Sequence, residues 1–574
     1  NMFPVIKKWL YSDHDIFVRE LISNGCDAVT KLKKLSLMGE FDEPDEPYRI
    51  DVTTSANDKT ITFTDNGIGM TEEEVEKYIN QIAFSGAEAF LEQYKDKATE
   101  EQIIGHFGLG FYSAFMVADK VTIETKSYKD GEDAVYWECE DGLEYSMKKC
   151  IKADRGTTIT LYLNEDSYEF ANEYRIKEVI DKYCSFMPVE IYYTNADEPQ
   201  EDPKDATVDV DAKEVSDTAD NAEDSKGPDA DDTKAEEKKP EAPKPLNTTT
   251  PLWAKHPNDC TDEEYKEFYR KVFHDYKEPL FWIHLNMDYP FNLKGILYFP
   301  KINTQYDNLE GTIKLYNNQV FVADNIKEVI PEFLMLLKGC IDCPDLPLNV
   351  SRSALQNDGF VKKISDYITK KVADKLSGMY KTHREDYEKY WDDINPFIKF
   401  GCLKDLKFLD KMKDFCIYKN LEGKYITLPE YLEAGKEKYE NKVFYVTDEQ
   451  AQSQYINMFK AEGMDALIMT QTIDSPFITL LEQKNENVHF YRIDAELSDN
   501  FVGEELSEET AKEYKDKLTA TFEKALDMKN LNVKVESLKD ENTSSILTQP
   551  EETRRMQEMM KMYGMAGMDP SMCS

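Results

Sequence analysis

The clearest alternation of apolar and polar positions near the start of the chain runs from Asp15 to Ser36, which reads DIFVRELISNGCDAVTKLKKLS. Its apolar residues recur every three or four positions and predict a helix that buries one side against a sheet. These residues are Phe17, Leu21, Ala28, Leu32 and Leu35. Glu20, Asn24, Asp27 and Lys31 follow at i, i+4, i+7 and i+11, so they line one narrow face beside the apolar side. This polar stripe can bind a ligand, although a solvated helix face is the simpler explanation for it in isolation.

The pattern changes along the chain and predicts an α+β multidomain fold. Residues 1–194 alternate helix and strand signals and predict an α/β sandwich. Residues 195–245 are rich in Asp, Glu, Pro and Ala and have almost no large apolar side chain, which predicts an acidic, disordered linker. Residues 246–497 predict a middle domain of αβα layers followed by a small α/β unit, and residues 498–574 predict a C-terminal α+β segment. A passive tether is the favoured role of the linker, with an interaction tail as the alternative.

Caps, prolines and periodicity predict element boundaries in the second half of the chain. Thr261 and Glu264 form a capping-box pattern at the start of a helix that runs to Phe273. Pro396 predicts a break between two helices. The other predicted elements are helices at Pro331–Lys338, Glu385–Ile394, Lys404–Phe415, Glu508–Ala525 and Glu551–Met562, and a strand-like segment at Leu531–Ser537.

Composition narrows the classes of function. The 574 residues carry 112 acidic and 70 basic side chains, a net charge of −42. This balance disfavours binding to nucleic acid and to anionic membranes, because contacts with phosphate need clusters of Lys and Arg. No apolar run is long enough for a transmembrane helix. The ten cysteines contain a single C-x-x-C pair, Cys340 and Cys343, so free thiols in a reducing cytoplasm are favoured over a zinc site or disulfides.

Two glycine-bearing turns can carry chemistry. The first is Asp65 to Met70, DNGIGM, where a carboxylate at a strand end can accept a hydrogen bond from the exocyclic amine of a base. The second is Gly105 to Phe111, GHFGLGF, where the missing Cβ atoms let backbone N–H groups approach phosphates. Tight turns in a sheet protein explain either motif alone equally well. Their combination with the polar stripe favours a nucleotide site.

Taken together, the strings RELISN, DNGIG, GHFGLGFYS, RGTTITLYL and DLPLNVSRSALQ resemble the GHKL ATPase superfamily. Within it, the chain is similar to the Hsp90 chaperones, in their bacterial form, over nearly its whole length. The resemblance implies an N-terminal ATP-binding domain in residues 1–194, a middle domain, and a C-terminal domain for clients and dimerisation. Because relatives continue beyond Ser574, we expect that last domain to be truncated and the natural protein to be a homodimer.

The resemblance also implies roles for individual residues. Glu20 would be the general base, and Asn24 would bind Mg²⁺ through its carbonyl oxygen. Asp65 would accept the adenine amine. The remaining residues implied to bind the ATP cofactor are Asp27, Lys31, Gly69, Met70, Phe84, Ser85, Gly86, Gly105, Phe107, Gly108, Leu109, Gly110, Phe111 and Thr157. A mobile lid would span roughly residues 81–110 and would exclude water when it closes.

The segment IAFSG departs from the family pattern. Many relatives have a lysine at the position of Phe84, and a phenylalanine cannot neutralise phosphate charge. We therefore expect weaker or differently supported ATP binding, with backbone amides and Arg352 as compensation. The resemblance makes Arg352 a catalytic residue that reaches the γ-phosphate from the middle domain, supported by Gln356.

The function implied is that of an ATP-dependent chaperone that clamps partly folded client proteins. A nucleotide-gated scaffold with little hydrolysis is one alternative. A different GHKL enzyme, such as a DNA-remodelling ATPase or a histidine kinase, is another, and the net charge of −42 disfavours the DNA-binding version.

Overall fold

The computed structural model confirms an α+β protein, and its described residues form three β-sheets. It describes residues 13–80, 110–140, 144–198, 243–301, 311–348, 359–495, 507–526, 531–537, 545–548 and 554–555. The sheets have seven, five and five strands, and each is packed against helices.

The first sheet contains seven strands in the order β5-β4-β3-β6-β2-β1-β7. Neighbouring strands are antiparallel, except for the parallel pair β1 and β7 at one edge. The strands are β1 Arg49–Ser55, β2 Thr60–Asp65, β3 Ala118–Lys126, β4 Ala134–Glu140, β5 Glu144–Cys150, β6 Gly156–Leu163 and β7 Glu190–Asn195.

Among the described residues, three helices belong to the first sheet: α1 Ile16–Leu37, α2 Glu72–Tyr78 and α3 Glu173–Cys184. Helix α1 therefore begins and ends one residue later than predicted. The apolar side of α1 faces the sheet, where the ring of Phe17 is fully buried and packs edge-on against Phe63 at 6.3 Å. This burial is the main contribution that an amphipathic helix makes to stability.

The second and third sheets form the middle part of the molecule. The second has the order β11-β10-β12-β9-β8, and the third has the order β14-β13-β16-β15-β17. Their strands are β8 Phe281–Met287, β9 Leu293–Phe299, β10 Ile313–Asn317, β11 Val320–Asp324, β12 Lys338–Asp342, β13 Ile417–Asn420, β14 Tyr425–Thr427, β15 Lys442–Val446, β16 Leu467–Ile468 and β17 His489–Arg492. Their helices, with one further helix after them, are α4 Asp262–Phe273, α5 Gly359–Thr382, α6 Arg384–Lys404, α7 Leu406–Met412, α8 Leu428–Tyr439, α9 Ser453–Ala461, α10 Asp474–Lys484 and α11 Glu508–Leu526.

The helix break predicted at Pro396 is wrong. Helix α6 continues through Pro396, and the chain breaks at Asp405 instead. Proline removes the N–H that would bond the carbonyl of Asp392. The side-chain amide of Asn395 replaces it, donating to the carbonyl oxygens of Asp392 at 3.3 Å and Trp391 at 2.9 Å.

Two further predicted elements differ from the structure, and one is confirmed. The helix expected at Pro331–Lys338 is a 3₁₀ helix at Glu332–Leu336, and Lys338 already begins a strand. The strand-like segment Leu531–Ser537 has no regular secondary structure.

The capping box is confirmed, since the N–H of Glu264 donates to Thr261 Oγ1 at 3.3 Å and the N–H of Thr261 to Glu264 Oε2 at 2.8 Å. The predicted helix Glu551–Met562 lies outside the described residues except for 554–555.

The first and second sheets meet through an aromatic cluster around Phe186, which follows α3. Its ring lies 4.7 Å from Trp253, 5.7 Å from Phe268 and 5.7 Å from Tyr316, all in the middle part of the chain. These rings belong to the same buried core as the first sheet. The contact therefore joins the two sheets by burial of apolar surface.

The acidic stretch leaves and re-enters the fold at opposite ends of β7. At one end, Asp197 accepts a hydrogen bond from Ser55 Oγ at 2.7 Å and another from the backbone N–H of Ala56 at 2.7 Å. At the other end, the buried amide of Asn247 accepts from the N–H of Ile191 at 2.8 Å and donates to the carbonyl of Val189 at 2.8 Å. Both ends of this stretch are thus attached to the first sheet and its helices, which together are called the first unit.

Candidate functional site

Two of the four residues of the polar stripe of α1 are buried. Glu20 and Asp27 are each 5% exposed, Lys31 is half-buried, and Asn24 is exposed. A solvated helix face is therefore wrong for Glu20 and Asp27. Burial of charged side chains beside a core is costly unless they have partners or a function.

The carboxylate of Glu20 forms an ion pair with the preceding residue, Arg19. Arg19 is 1% exposed, and its Nε donates to Glu20 Oε1 at 3.0 Å, with Nη2 at 2.9 Å from the same oxygen. The other oxygen, Oε2, faces Gly110, where an added Cβ would come within 2.6 Å of it. Gly110 is therefore packed against this carboxylate, and residue 110 has no room for a side chain.

Asp65 lies where three strands bring polar side chains into one row. Asp65 on β2 is paired with Thr157 on β6. Thr157 is in turn paired with Thr125 on β3, the neighbour of β6 on its other side. The hydroxyls of Thr125 and Thr157 are 2.9 Å apart, and Asp65 Oδ1 accepts the N–H of Gly67 at 2.9 Å. Burial raises the pKa of Asp65 to about 7, against the opposing hydrogen bonds from the backbone N–H groups of Gly67 and Thr157. The result is a desolvated acceptor on the floor of the site.

The turn after Asp65 is held tightly against β3. Gly69 has φ +64°, and a Cβ there would come 1.8 Å from the carbonyl oxygen of Lys126. The N–H of Met70 donates to Thr125 Oγ1 at 3.0 Å. Only glycine fits at residue 69, because its backbone lies directly against β3.

Lys31 and Phe111 complete the described part of the predicted site. Desolvation lowers the pKa of Lys31, while Asp27 and Glu74 raise it. Phe111 begins the buried run of the 3₁₀ helix Gly110–Met116, and its ring packs edge-on against Trp137 at 5.7 Å. The ring of Phe111 therefore belongs to the core of the first sheet.

The structure brings together Glu20, Asp27, Lys31 and Gly110 around α1, and Asp65, Gly69, Met70 and Thr157 at the sheet end. The predicted residues that lie outside the described ranges are Phe84, Ser85, Gly86, Gly105, Phe107, Gly108, Leu109, Arg352 and Gln356.

Sequence reasoning missed Arg19 and Thr125. Arg19 stands next to Glu20, yet no spacing pattern indicates that its guanidinium folds back onto that carboxylate. Thr125 is fully buried and reaches the site only through the pairing of β3 with β6. The alternation in KVTIETK places it on the core side of a strand, which was the one available signal.

A seven-stranded sheet crossed by a helix that carries a buried Glu, with Asp65 and the turn at Gly69 at the end of a strand, is the arrangement expected of a GHKL-type ATPase. Residues 11–153 match the family model described as histidine kinase-, DNA gyrase B-, and HSP90-like ATPase. Residues 169–574 match the model described as Hsp90 protein. The chain belongs to the Hsp90 family.

Relatives from several bacteria extend this result. The chain is 43% identical to a protein named chaperone protein HtpG from Bacteroides thetaiotaomicron over 580 residues, which cover 98% of this chain and 80% of the relative. It is 42% identical to the chaperone protein HtpG of Porphyromonas gingivalis, with coverage of 98% and 78%. For that of Desulfitobacterium hafniense the identity is 30%, with coverage of 98% and 86%. The protein is accordingly an ATPase and an ATP-dependent chaperone of the Hsp90 type.

The described residues hold neither a candidate membrane span nor a candidate metal cluster. Within them no helix has the length and apolar character needed to cross a bilayer. The same ranges contain no group of three or more His, Cys, Asp and Glu side chains arranged to hold a metal ion.

Proposed function

We propose that the chain hydrolyses ATP with Glu20 as the general base and uses the cycle to clamp and release partly folded client proteins. The observation that carries this proposal is the placement of Glu20. Its carboxylate is buried, fixed on one oxygen by Arg19, and placed with the other oxygen against Gly110. A general base must be held within hydrogen-bond reach of the proton it accepts, and this arrangement supports that role for Oε2.

Asp65 supports recognition of the base. Its carboxylate is an acceptor in a desolvated floor, with the Thr125 and Thr157 hydroxyls beside it. An exocyclic amine on adenine would donate to this carboxylate. The turn at Gly69 and Met70, which is held against β3, would line the base on one side.

Asn24 fits the magnesium ion of the nucleotide. Its amide is exposed one helical turn after Glu20, and a neutral carbonyl oxygen is a hard ligand of the kind that Mg²⁺ prefers. When bound, the ion supplies positive charge that neutralises the phosphates. The protein's own contribution is to hold Asn24 and Glu20 on one rigid helix, so that their separation is fixed.

The proposed catalytic set also includes Arg352 and Gln356. The proposed ATP-binding set also includes Phe84, Ser85, Gly86, Gly105, Phe107, Gly108 and Leu109. Arg352 would stabilise charge on the transferring phosphoryl group from the middle domain, which would couple hydrolysis to docking of the two domains. We further propose a cytoplasmic homodimer that acts in the stress response.

The test is MgATP turnover by the chain beside Glu20→Ala and Glu20→Gln, with ADP binding followed for all three. Turnover by the wild type, and unchanged binding with at least a hundredfold loss of turnover in both variants, would support the proposal, since a general base contributes about 10²–10⁴-fold. Binding without turnover by the wild type would favour a nucleotide-gated scaffold. Equal turnover by Glu20→Gln and the wild type would remove Glu20 as the base.

A further inference from the structure

The turn between β10 and β11 has an unusual residue. Asn318 has φ +50° and Gln319 has φ +64°, so both central residues of this two-residue hairpin turn lie in the left-handed region. Turns of this type favour asparagine followed by glycine. A glutamine at the second position is strained, and such strain persists where the side chain or its surroundings require it.

The side chain of Gln319 connects two separate parts of the chain. With its amide nitrogen oriented toward them, it donates to the carbonyl oxygen of Phe186 at 2.7 Å and to that of Thr249 at 3.1 Å. Phe186 lies between α3 and β7 of the first unit, and Thr249 belongs to the segment that re-enters the fold after the acidic stretch. Gln319 is half-buried, so these hydrogen bonds are partly shielded from water.

The backbone of the same turn is also hydrogen-bonded to the end of β12. The N–H of Gln319 donates to Asp342 Oδ2 at 3.0 Å, and this oxygen also accepts from Trp253 Nε1 at 3.3 Å. Asp342 is the last residue of β12 and is 6% exposed. A buried carboxylate that is fixed by two donors has little freedom to move.

The segment that follows Asp342 is attached to this turn as well. The side-chain amide of Asn317, which is 4% exposed, donates to the carbonyl oxygens of Cys343 at 3.1 Å and Pro344 at 2.9 Å. The N–H of Cys343 donates to the carbonyl of Tyr316 at 3.1 Å. In the sequence this segment leads directly to Arg352.

The first unit is connected to Phe186 through α1 and α3. Tyr183 Oη donates to Asp15 at the start of α1 at 2.9 Å, and Cys26 in α1 contacts Met187 through their sulfur atoms at 3.9 Å. The residues on either side of Phe186 are therefore in contact with the helix that carries Glu20. Gln319 lies between this helix and the segment leading to Arg352.

We propose that Gln319 is a positioning residue for ATP hydrolysis, which holds the segment leading to Arg352 in register with the first unit. The proposal rests on the proposed role of Arg352. In this arrangement the strained turn is kept because a glycine would remove the two hydrogen bonds to Phe186 and Thr249.

The test compares Gln319→Gly with Lys59→Gly. Lys59 has φ +57° in the exposed turn between β1 and β2, so glycine relieves similar strain there without touching the junction. Both variants should keep or raise the apparent Tm. Gln319→Gly should lower kcat about tenfold, which corresponds to two neutral hydrogen bonds, with the Kd for ADP unchanged. Lys59→Gly should leave kcat unchanged.

A second variant keeps the size of the side chain. Gln319→Glu places a carboxylate opposite two carbonyl oxygens, so it should lower kcat at least as much as glycine, with a lower Tm. An unchanged kcat in Gln319→Gly, or an ADP affinity that falls in parallel with kcat, would overturn the proposal.

Arg352→Ala separates this inference from the function on which it rests. If Arg352→Ala turns over normally, the role of Arg352 is wrong, and a slow Gln319→Gly must act by another route. If Arg352→Ala is slow and Gln319→Gly is normal, only the positioning role fails. If Gln319 acts through Arg352, adding Gln319→Gly to Arg352→Ala should cause no further loss of turnover.

Discussion

Glu20 and Gly110 face each other so closely that residue 110 has no room for a side chain. A Cβ on residue 110 would lie 2.6 Å from Glu20 Oε2 and 3.4 Å from Glu20 Cβ. Since Arg19 holds the other oxygen at 3.0 Å, the carboxylate cannot turn away without breaking that ion pair. The position of the proposed base is thus set by Arg19 on one side and Gly110 on the other.

Gly110→Ala should therefore impair turnover without loss of the fold. We expect kcat to fall about tenfold or more, because displacement of a catalytic group by about 1 Å can cost up to about a hundredfold in rate. The matched control is Gly378→Ala, because Gly378 lies inside α5 with no atom within 4 Å of an added Cβ. The control should gain about 0.5–1 kcal/mol of helix stability and keep its kcat. A normal kcat in Gly110→Ala would show that Glu20 tolerates displacement.

Asp65 makes nucleotide binding sensitive to pH near neutrality. With a pKa of about 7, the carboxyl group loses most of its negative charge between pH 8 and pH 6. Because the adenine amine needs an acceptor, ADP affinity should fall about tenfold over this range. Asp65→Asn should bind ADP more weakly at pH 8, and the ratio of the two affinities at each pH cancels the protonation of the phosphates. A constant ratio would contradict the prediction.

The same residue affects stability with the opposite sign. Its pKa is raised in the folded state from 3.8 to about 7, so protonation stabilises the fold. That contribution is fully present below pH 3.8 and is lost as the pH rises through 7. Asp65→Asn should accordingly be more stable than the wild type at pH 8, and the difference should narrow toward pH 6.

The buried ion pair of Lys399 and Asp474 joins α6 to α10, with side chains 6% and 4% exposed. Lys399→Met leaves an unpaired buried carboxylate and should cost about 3–5 kcal/mol in urea unfolding followed by tryptophan fluorescence. Adding Asp474→Asn should recover most of this loss, because the amide oxygen still accepts the N–H of Gln471 at 3.0 Å.

The control for this pair is Lys149→Met on the first sheet. The side chains of Lys149 and Asp133 are 68% and 63% exposed, so the change should cost less than about 1 kcal/mol. A similar loss in both lysine variants would show that burial is not the cause.

Asn395 and Pro396 should show coupled effects on stability. Asn395→Leu removes the amide that serves the carbonyl of Asp392 and should cost about 1–2 kcal/mol. Pro396→Ala restores a backbone N–H to the same carbonyl, so Asn395→Leu should cost less in that background. Equal costs in the two backgrounds, measured by urea unfolding, would exclude this compensation.

Local sequence signals predicted the parts of the site that depend on one element. The spacing of Glu20 and Asp27 follows from the period of a single helix. The turn after Asp65 follows from a glycine that can adopt a positive φ. The capping box of Thr261 and Glu264 is another example. These features need no knowledge of which strands pair.

What the sequence could not predict depends on distant residues. Thr125 meets Thr157 only because β3 pairs with β6 in one register, and no local pattern fixes that register. At Pro396, the proline rule fails because a neighbouring amide supplies the missing hydrogen bond. Gln319 gave no signal at all, since its partners lie at Phe186 and Thr249.

The anchors at Asp197 and Asn247 have a consequence for how the molecule is held together. Both ends of the acidic stretch are attached to the first unit, and the aromatic rings around Phe186 join that unit directly to the second sheet. A continuous backbone between residues 199 and 242 is then not needed for the association of the two parts. A protease that cuts there once should give two fragments that elute together from a sizing column and separate only in denaturant.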